Sequence, residues 1–317
     1  MSRSLVFPGQ GAQYVGIGVS LAEKHPAARD ILDRADRALG FALSDIMANG
    51  PEADLTRTDR SQLAILTASM MAFAVVKQQF SNFGRTLAFT ATAGLSLGEY
   101  TALVVAEALS FEDALGLVKV RGEAMQAAAD AVAGGMVALV GPDEATATAL
   151  CAAAAEGEVL VVANLNCPGQ VVISGTKSAC ARAVAKAKEF NCRRAIPLSV
   201  AGAFHSPLMA PAAERLGAAL AGVAFRDPKV PVYANVTAAP VVKAADLPGL
   251  LARQLTSPVR WADSVVRMQA DGVTQIWELG PGKTLSGMVE RTVKGLAVRN
   301  LDTAEDALRF ADAVTAG

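Results

Sequence analysis

Thr92-Ala93-Gly94-Leu95-Ser96-Leu97-Gly98-Glu99-Tyr100 joins an apolar segment to a helical one. Residues 89–93 read as the end of a buried strand, and the run that starts at Glu99 (EYTALVVAEAL) reads as helix. The centre, G-x-S-x-G, is the pattern of a serine held on a strained strand-to-helix turn. Gly94 and Gly98 let the backbone turn sharply and pack closely around Ser96. Such a turn exposes the hydroxyl and sets a helix N-terminus behind it, where a developing anion is stabilised. A glycine-rich connection in which Ser96 only caps a helix accounts for the same residues, so the remainder of the chain has to separate the two readings.

The 317 residues suffice for one large domain, or a large one with a small companion. Hydrophobic residues make up 52% and charged residues 19%, and alanine dominates the excess, which favours helix in a soluble α/β protein. No uninterrupted apolar run reaches about 18 residues, so no transmembrane helix is expected. The opening MSRSLVFPGQG passes from a short apolar run into Pro-Gly with no secretory pattern, and a cytoplasmic setting is expected. A net charge of −1 gives no reason to expect nucleic acid or an acidic membrane surface. The four cysteines, Cys151, Cys167, Cys180 and Cys192, lack metal-ligand spacing and read as reduced, buried thiols; no metal is expected. Only His25 and His205 are available as imidazole bases.

Taken in order, residues 4–7 read as a strand ended by Pro8-Gly9-Gln10-Gly11, and residues 16–39 as a helical stretch that carries His25 in a polar segment. Residues 58–80 form a strong helix whose Leu63, Leu66, Met70, Met71 and Phe73 recur at near-helical spacing and belong to a core. A helix over 111–131 opens on the cap-like Ser110. From Gly134 the texture changes. Strands at 136–140, 159–165, 171–174 and 193–200 alternate with helices at 143–155 and 176–190, in the β-α-β-β-α-β order of a ferredoxin-like unit. The expected architecture is α/β, a large α/β-hydrolase-like domain with a parallel sheet (1–132 and 200–317) into which a small ferredoxin-like domain (133–199) is inserted. The large part continues with a helix at 211–220, a strand at 230–235, a helix at 244–254 and a strand at 275–279.

A nucleophilic serine needs a base within reach and donors for the oxyanion. His205, in Ala203-Phe204-His205-Ser206-Pro207, is the leading base, although a capping or buried structural histidine fits the same context. No carboxylate sits beside it in sequence, so a carbonyl is an alternative orienting partner. The amide of Gln10, in a loop directly after the first strand, and that of Leu97, which follows the serine, can form an oxyanion hole. Arg121 is either a surface ion-pair residue or a clamp for a substrate carboxylate.

FPGQGAQ, GLSLGEYTAL, VKVRGEAM, ANLNCPGQVVISG, GAFHSPLM and QLTSPVRW occur in the order found in malonyl-CoA:acyl carrier protein transacylases. Over about residues 4–300 the chain resembles the free-standing bacterial enzymes of fatty acid synthesis, and it is similar to polyketide synthase acyltransferase domains. The resemblance implies a Ser96–His205 dyad working by a ping-pong route from malonyl-CoA to acyl carrier protein, with no cofactor and as a monomer. It further implies an oxyanion hole from the amides of Gln10 and Leu97, malonyl binding by Arg121, and a Gln254 carbonyl that orients His205. Phe204 resembles the residue that disfavours an α-methyl branch, and Asn164 and Asn166 are expected to line an interdomain cleft. The family usually carries histidine where this chain has Leu95. Lys186, Lys188, Arg193 and Arg194 form a basic cluster that by analogy would meet an acidic carrier protein. A serine esterase of α/β-hydrolase type needs neither Arg121 nor the insert and would be expected to carry an HGGG-type loop. An idle docking domain has no need of Ser96, His205, Arg121 and Gln254 together. Service to a polyketide synthase or another malonyl-using system stays open.

Overall fold

The computed structural model of the chain describes residues 2–315, with side chains through residue 310. Its strands are, in chain order, β1 (Arg3–Phe7), β2 (Ala91–Gly94), β3 (Gly134–Val140), β4 (Leu160–Cys167), β5 (Gln170–Thr176), β6 (Arg194–Pro197), β7 (Val232–Tyr233), β8 (Pro240–Val241), β9 (Gln275–Leu279) and β10 (Ala297–Leu301). Six build one sheet in the order β10-β9-β1-β2-β7-β8, parallel except for the edge strand β8. The central strand β1 shows why: Leu5, Val6 and Phe7 are all fully buried, so both faces of the sheet are covered. The architecture is α/β, with helices packed around a mostly parallel sheet.

The other four strands form an antiparallel sheet in the order β4-β5-β3-β6. Helices Glu144–Ala155 and Lys177–Lys186 pack on it, opened by Asp143 and Thr176, whose side chains accept from the amides of Thr146 and Ala179. Val137, Leu139, Leu150, Ile173 and Ala183 belong to a core of its own. Its chain comes in and goes out at one place, since a Cβ on Gly134 would lie 2.7 Å from the amide nitrogen of Ala203. The sheet is tied to the larger body where Leu165 donates to the carbonyl of Val259 (2.9 Å) and Val259 donates to that of Ala163 (2.8 Å).

Several elements differ from the sequence reading. The stretch 16–39 is two helices, Val19–Lys24 and Pro26–Leu39, broken at His25 (φ −129°, ψ 111°), because a residue before proline is forced out of the helical region. The strand expected over 230–235 shortens to Val232–Tyr233, and the helix over 244–254 opens with a 3₁₀ turn before Leu247–Gln254. Helices Leu43–Asn49, Trp261–Ala270 and Thr284–Thr292 were not read from the sequence; none has a side-chain N-cap to announce it. The long helix Thr58–Asn82 is apolar enough to span a membrane by length and composition, yet most of it is buried within the fold as a core helix.

β1 and β2 pair in register, Phe7 opposite Gly94, so the loops that follow them leave side by side. A Cβ on Gly94 would collide with the main-chain carbonyl of Gly98, and one on Gly98 would collide with the carbonyl oxygen of Phe7. Both clashes are with main chain, which has nowhere to yield. Gly98→Ala should therefore destabilise the protein by about 3 kcal/mol or more, read as a fall in the denaturation midpoint; an unchanged midpoint would show that the elbow can open.

Candidate active site

Ser96 stands at the turn between β2 and the helix Gly98–Val105, with φ +50°. This left-handed backbone costs a non-glycine residue on the order of 1–2 kcal/mol and aims the side chain outward. Two side chains hold it. The amide of Ser96 donates to Asn235 Oδ1 (2.6 Å), and Gln254 Nε2 donates to the Ser96 carbonyl (3.0 Å). Asn235 also donates through Nδ2 to the carbonyl of Gly94 (2.7 Å), bridging the two ends of the elbow.

His205, likewise at positive φ (57°), brings Nε2 to 2.9 Å from Ser96 Oγ. Its Nδ1 lies 2.8 Å from the main-chain carbonyl of Gln254. A carbonyl can only accept, so Nδ1 carries the proton and Nε2 is free to receive the serine proton. Burial, reinforced by the charge of Arg121, lowers the His205 pKa to about 4, although the bond to Gln254 opposes this. The ring is neutral and basic at ordinary pH.

Arg121 is 1% exposed on the helix Phe111–Ala131. Its Nη2 donates to Ser96 Oγ (2.9 Å) and to Gln254 Oε1 (3.0 Å), Nη1 donates to Gln62 Oε1 (2.5 Å), and the Tyr100 ring lies 5.7 Å away. It is thus no surface ion-pair residue. Burial lowers its pKa while the neighbouring Glu99 works against that. Glu99 is itself 3% exposed and accepts from Gln254 Nε2 (2.6 Å) and the Asn235 amide (3.2 Å). Burial raises its carboxyl to about 7, against the pull of these two bonds and of Arg121.

In front of Ser96 opens a cleft of about 410 Å³ between the two sheets. Gln10, Phe204, Asn164 and Asn166 line it together with Leu95, while Arg121 and Gln254 lie behind Ser96, outside its lining. The Gln10 loop is pressed onto the elbow, since a Cβ on Gly9 would sit 2.5 Å from the carbonyl oxygen of Leu95. Leu97 is fully buried at the N-cap of its helix, the end at which main-chain amides lack helical partners. His25 lies between two N-terminal helices, away from the cleft. Within the basic cluster, Lys186 is turned onto the end of the neighbouring helix Glu144–Ala155 by the Ala153 carbonyl (2.8 Å) and Glu156 (3.7 Å). The cysteines are buried, and among the described residues no group of His, Cys, Asp and Glu could hold a metal ion.

Sequence reasoning missed Gln62, Glu99 and Asn235. Gln62 is a lone amide in a long apolar helical run, and Asn235 follows the end of a short strand, so each left a faint signal. Glu99 stands inside the quoted motif but reads there as an ordinary acidic residue in the first turn of a helix.

The model of the acyl transferase domain family matches residues 4–310, and the chain belongs to that family. It is 45% identical over 310 residues to the malonyl CoA-acyl carrier protein transacylase of Bacillus subtilis (strain 168), covering 96% of each chain. To the protein of that name from Escherichia coli (strain K12) it is 42% identical over 299 residues, covering 94% of this chain and 95% of the other. Among solved structures, an acyl carrier protein S-malonyltransferase from Vibrio cholerae superposes with a TM-score of 0.91 at 39% identity, over 98% of this chain and 99% of that one. A malonyl-transacylase solved in complex with its type II PKS acyl-carrier protein gives 0.93 at 35% identity, over 99% and 100%.

Because the His205 pKa is lowered, its basic form persists as pH falls. Labelling of Ser96 by a fluorophosphonate should hold its rate from pH 8 to about 5 and halve near 4. A midpoint near the ordinary histidine value of about 6.5 would show that the ring is hydrated rather than buried.

Proposed function

We propose that the chain transfers the malonyl group of malonyl-CoA to the phosphopantetheine thiol of acyl carrier protein, supplying extender units for fatty acid synthesis. The observation that carries this reading is a buried guanidinium hydrogen-bonded to the nucleophile itself, Arg121 Nη2 to Ser96 Oγ. Ser96 gives its proton to His205 Nε2 and attacks the thioester carbonyl, and the amides of Gln10 and Leu97 receive the oxyanion. Collapse expels the coenzyme A thiolate, which takes the proton from His205. The carrier thiol then passes its proton to His205, attacks the malonyl-serine ester and releases Ser96, which recovers the proton. Gln254 orients the imidazole throughout, so no carboxylate is required as a third member.

Arg121 selects the acyl group. Once Ser96 Oγ has become an ester oxygen, the Nη2 proton it had accepted is available to the free malonyl carboxylate. An acetyl group would leave that buried donor unpaired. Phe204 at the cleft wall supports exclusion of an α-methyl branch, and Asn164 lies where the rest of the thioester would enter. The scheme uses no cofactor or metal. A cytoplasmic setting and a monomeric chain belong to the same reading.

The domains behind this scheme are a large α/β-hydrolase-like body (1–132 and 200–317, of which 316–317 lie outside the described residues) and a ferredoxin-like insert (133–199). The second is supported by the strand order β4-β5-β3-β6 and by the meeting of its two ends at Gly134 and Ala203. Similarity to the partner of a type II PKS carrier protein supports a second reading, service to a polyketide synthase, which differs only in the carrier used.

Incubation with malonyl-CoA alone should leave a malonyl-mass adduct on the native chain and none on Ser96→Ala, by intact mass. Arg121→Ala should slow malonyl adduct formation by about tenfold to hundredfold without a matching loss for acetyl-CoA. A folded native chain that forms no adduct would overturn the transfer reading.

A further inference from the structure

Glu99 has no part in that scheme, yet its carboxylate reaches away from its own helix to two residues that hold the reacting groups. Oε2 accepts from Gln254 Nε2 at 2.6 Å and from the main-chain amide of Asn235 at 3.2 Å. Gln254 is the junction of the site. Its amide nitrogen donates to Glu99 and to the Ser96 carbonyl, its amide oxygen accepts from Arg121, and its main-chain oxygen faces His205.

The direction of this amide follows from the chemistry of its neighbours. The main-chain amide of Asn235 can only donate, so the Glu99 oxygen it meets accepts, as does the Ser96 carbonyl, and a guanidinium can only donate. Gln254 therefore turns Nε2 toward Glu99 and Ser96, and Oε1 toward Arg121. The flipped amide would oppose acceptor to acceptor on one side and donor to donor on the other. We infer that Glu99 is a positioning residue for malonyl selection: through the Gln254 amide it holds the Arg121 guanidinium in the orientation that meets the acyl carboxylate. The inference rests on the role proposed above for Arg121.

The energetics favour this over a purely structural role. A carboxylate withdrawn from water is costly unless it is hydrogen-bonded and faces a positive charge. Glu99 has two donors, and Arg121 stands one amide away. The chain from Glu99 through Gln254 to Arg121 joins a buried carboxyl group to a guanidinium by two hydrogen bonds, each polarising the next. Capping does not explain the placement, because neither bond of Glu99 is to the first turn of its own helix, Gly98–Val105.

The test compares Glu99→Gln and Glu99→Leu with the native chain in two reactions of Ser96. These are single-turnover malonylation by malonyl-CoA and labelling by a fluorophosphonate, which carries no carboxylate for Arg121. Malonylation should fall by about tenfold to hundredfold in Glu99→Leu, the scale set by misplacement of a positioning group. Labelling should stay close to native, and Glu99→Gln, which can offer Gln254 an acceptor oxygen, should recover most of the malonylation. Parallel loss of both reactions, or native malonylation in Glu99→Leu, overturns the inference. If Glu99→Leu does not fold, Glu99→Met, which keeps the length of the side chain but removes its acceptor oxygens, must show the same selective loss; equal loss in both reactions there also overturns it. A native chain that labels but takes no malonyl defeats the transfer reading and this inference with it. Malonylation by the native chain leaves the variants to decide the role of Glu99 alone.

Discussion

Close approach of main chain to main chain at the end of β1 and β2 is the constraint on which the active site depends. The carbonyl of Phe7 and the backbone at Gly98 come so near that no side chain fits between them, and Gly94 meets Gly98 under the same restriction. Only glycine tolerates such contact. The chain must then leave the sheet abruptly, and Ser96 takes the left-handed backbone that results. Strain of this size persists where the surroundings hold it, and Asn235 and Gln254 hold it from both sides of the residue.

A second consequence is the low dielectric behind the serine. Arg121, Glu99, His205 and Gln254 are all buried, so their interactions are strong and unsatisfied groups would be costly. Burial keeps His205 neutral, and its carbonyl partner sets the tautomer, so a base is present without a neighbouring carboxylate. In the transfer proposed above, the same burial accounts for selection by Arg121: a cation lodged against Ser96 gains most from an acyl chain that brings its own negative charge. Charge balance and amide direction are then one problem, and Gln254 solves it because a single side chain can donate to a carboxylate and accept from a guanidinium.

The antiparallel sheet adds the far wall of the cleft. It has a core of its own, yet β4 is hydrogen-bonded to the segment at Val259, so Asn164 and Asn166 face the elbow from a tethered strand rather than a free loop. Leu95 lines the cleft and takes no part in the hydrogen bonds that join Ser96, His205 and Arg121. An apolar side chain at this position therefore leaves those bonds intact.

The sequence by itself determined the elements whose signals are local. Gly94, Gly98 and the intervening serine announce the turn, the apolar run of β1 announces a strand, and Ser110, Asp143 and Thr176 mark helix starts because capping is a contact between near neighbours. Ser96 and His205 stand in short strings that suggest a nucleophile and a base, whereas the string at Arg121 left a surface ion pair open and Gln254 entered only through resemblance to the family. Only the tertiary structure decided how those groups meet. Gln254 lies far along the chain from Glu99 and Ser96, and Asn235 from Gly94, so no window of sequence contains the pairs. The buried carboxylate at Glu99 and the amide at Gln62 acquired meaning only when folding removed them from water, because a polar side chain reveals what it serves through the partner that burial forces upon it.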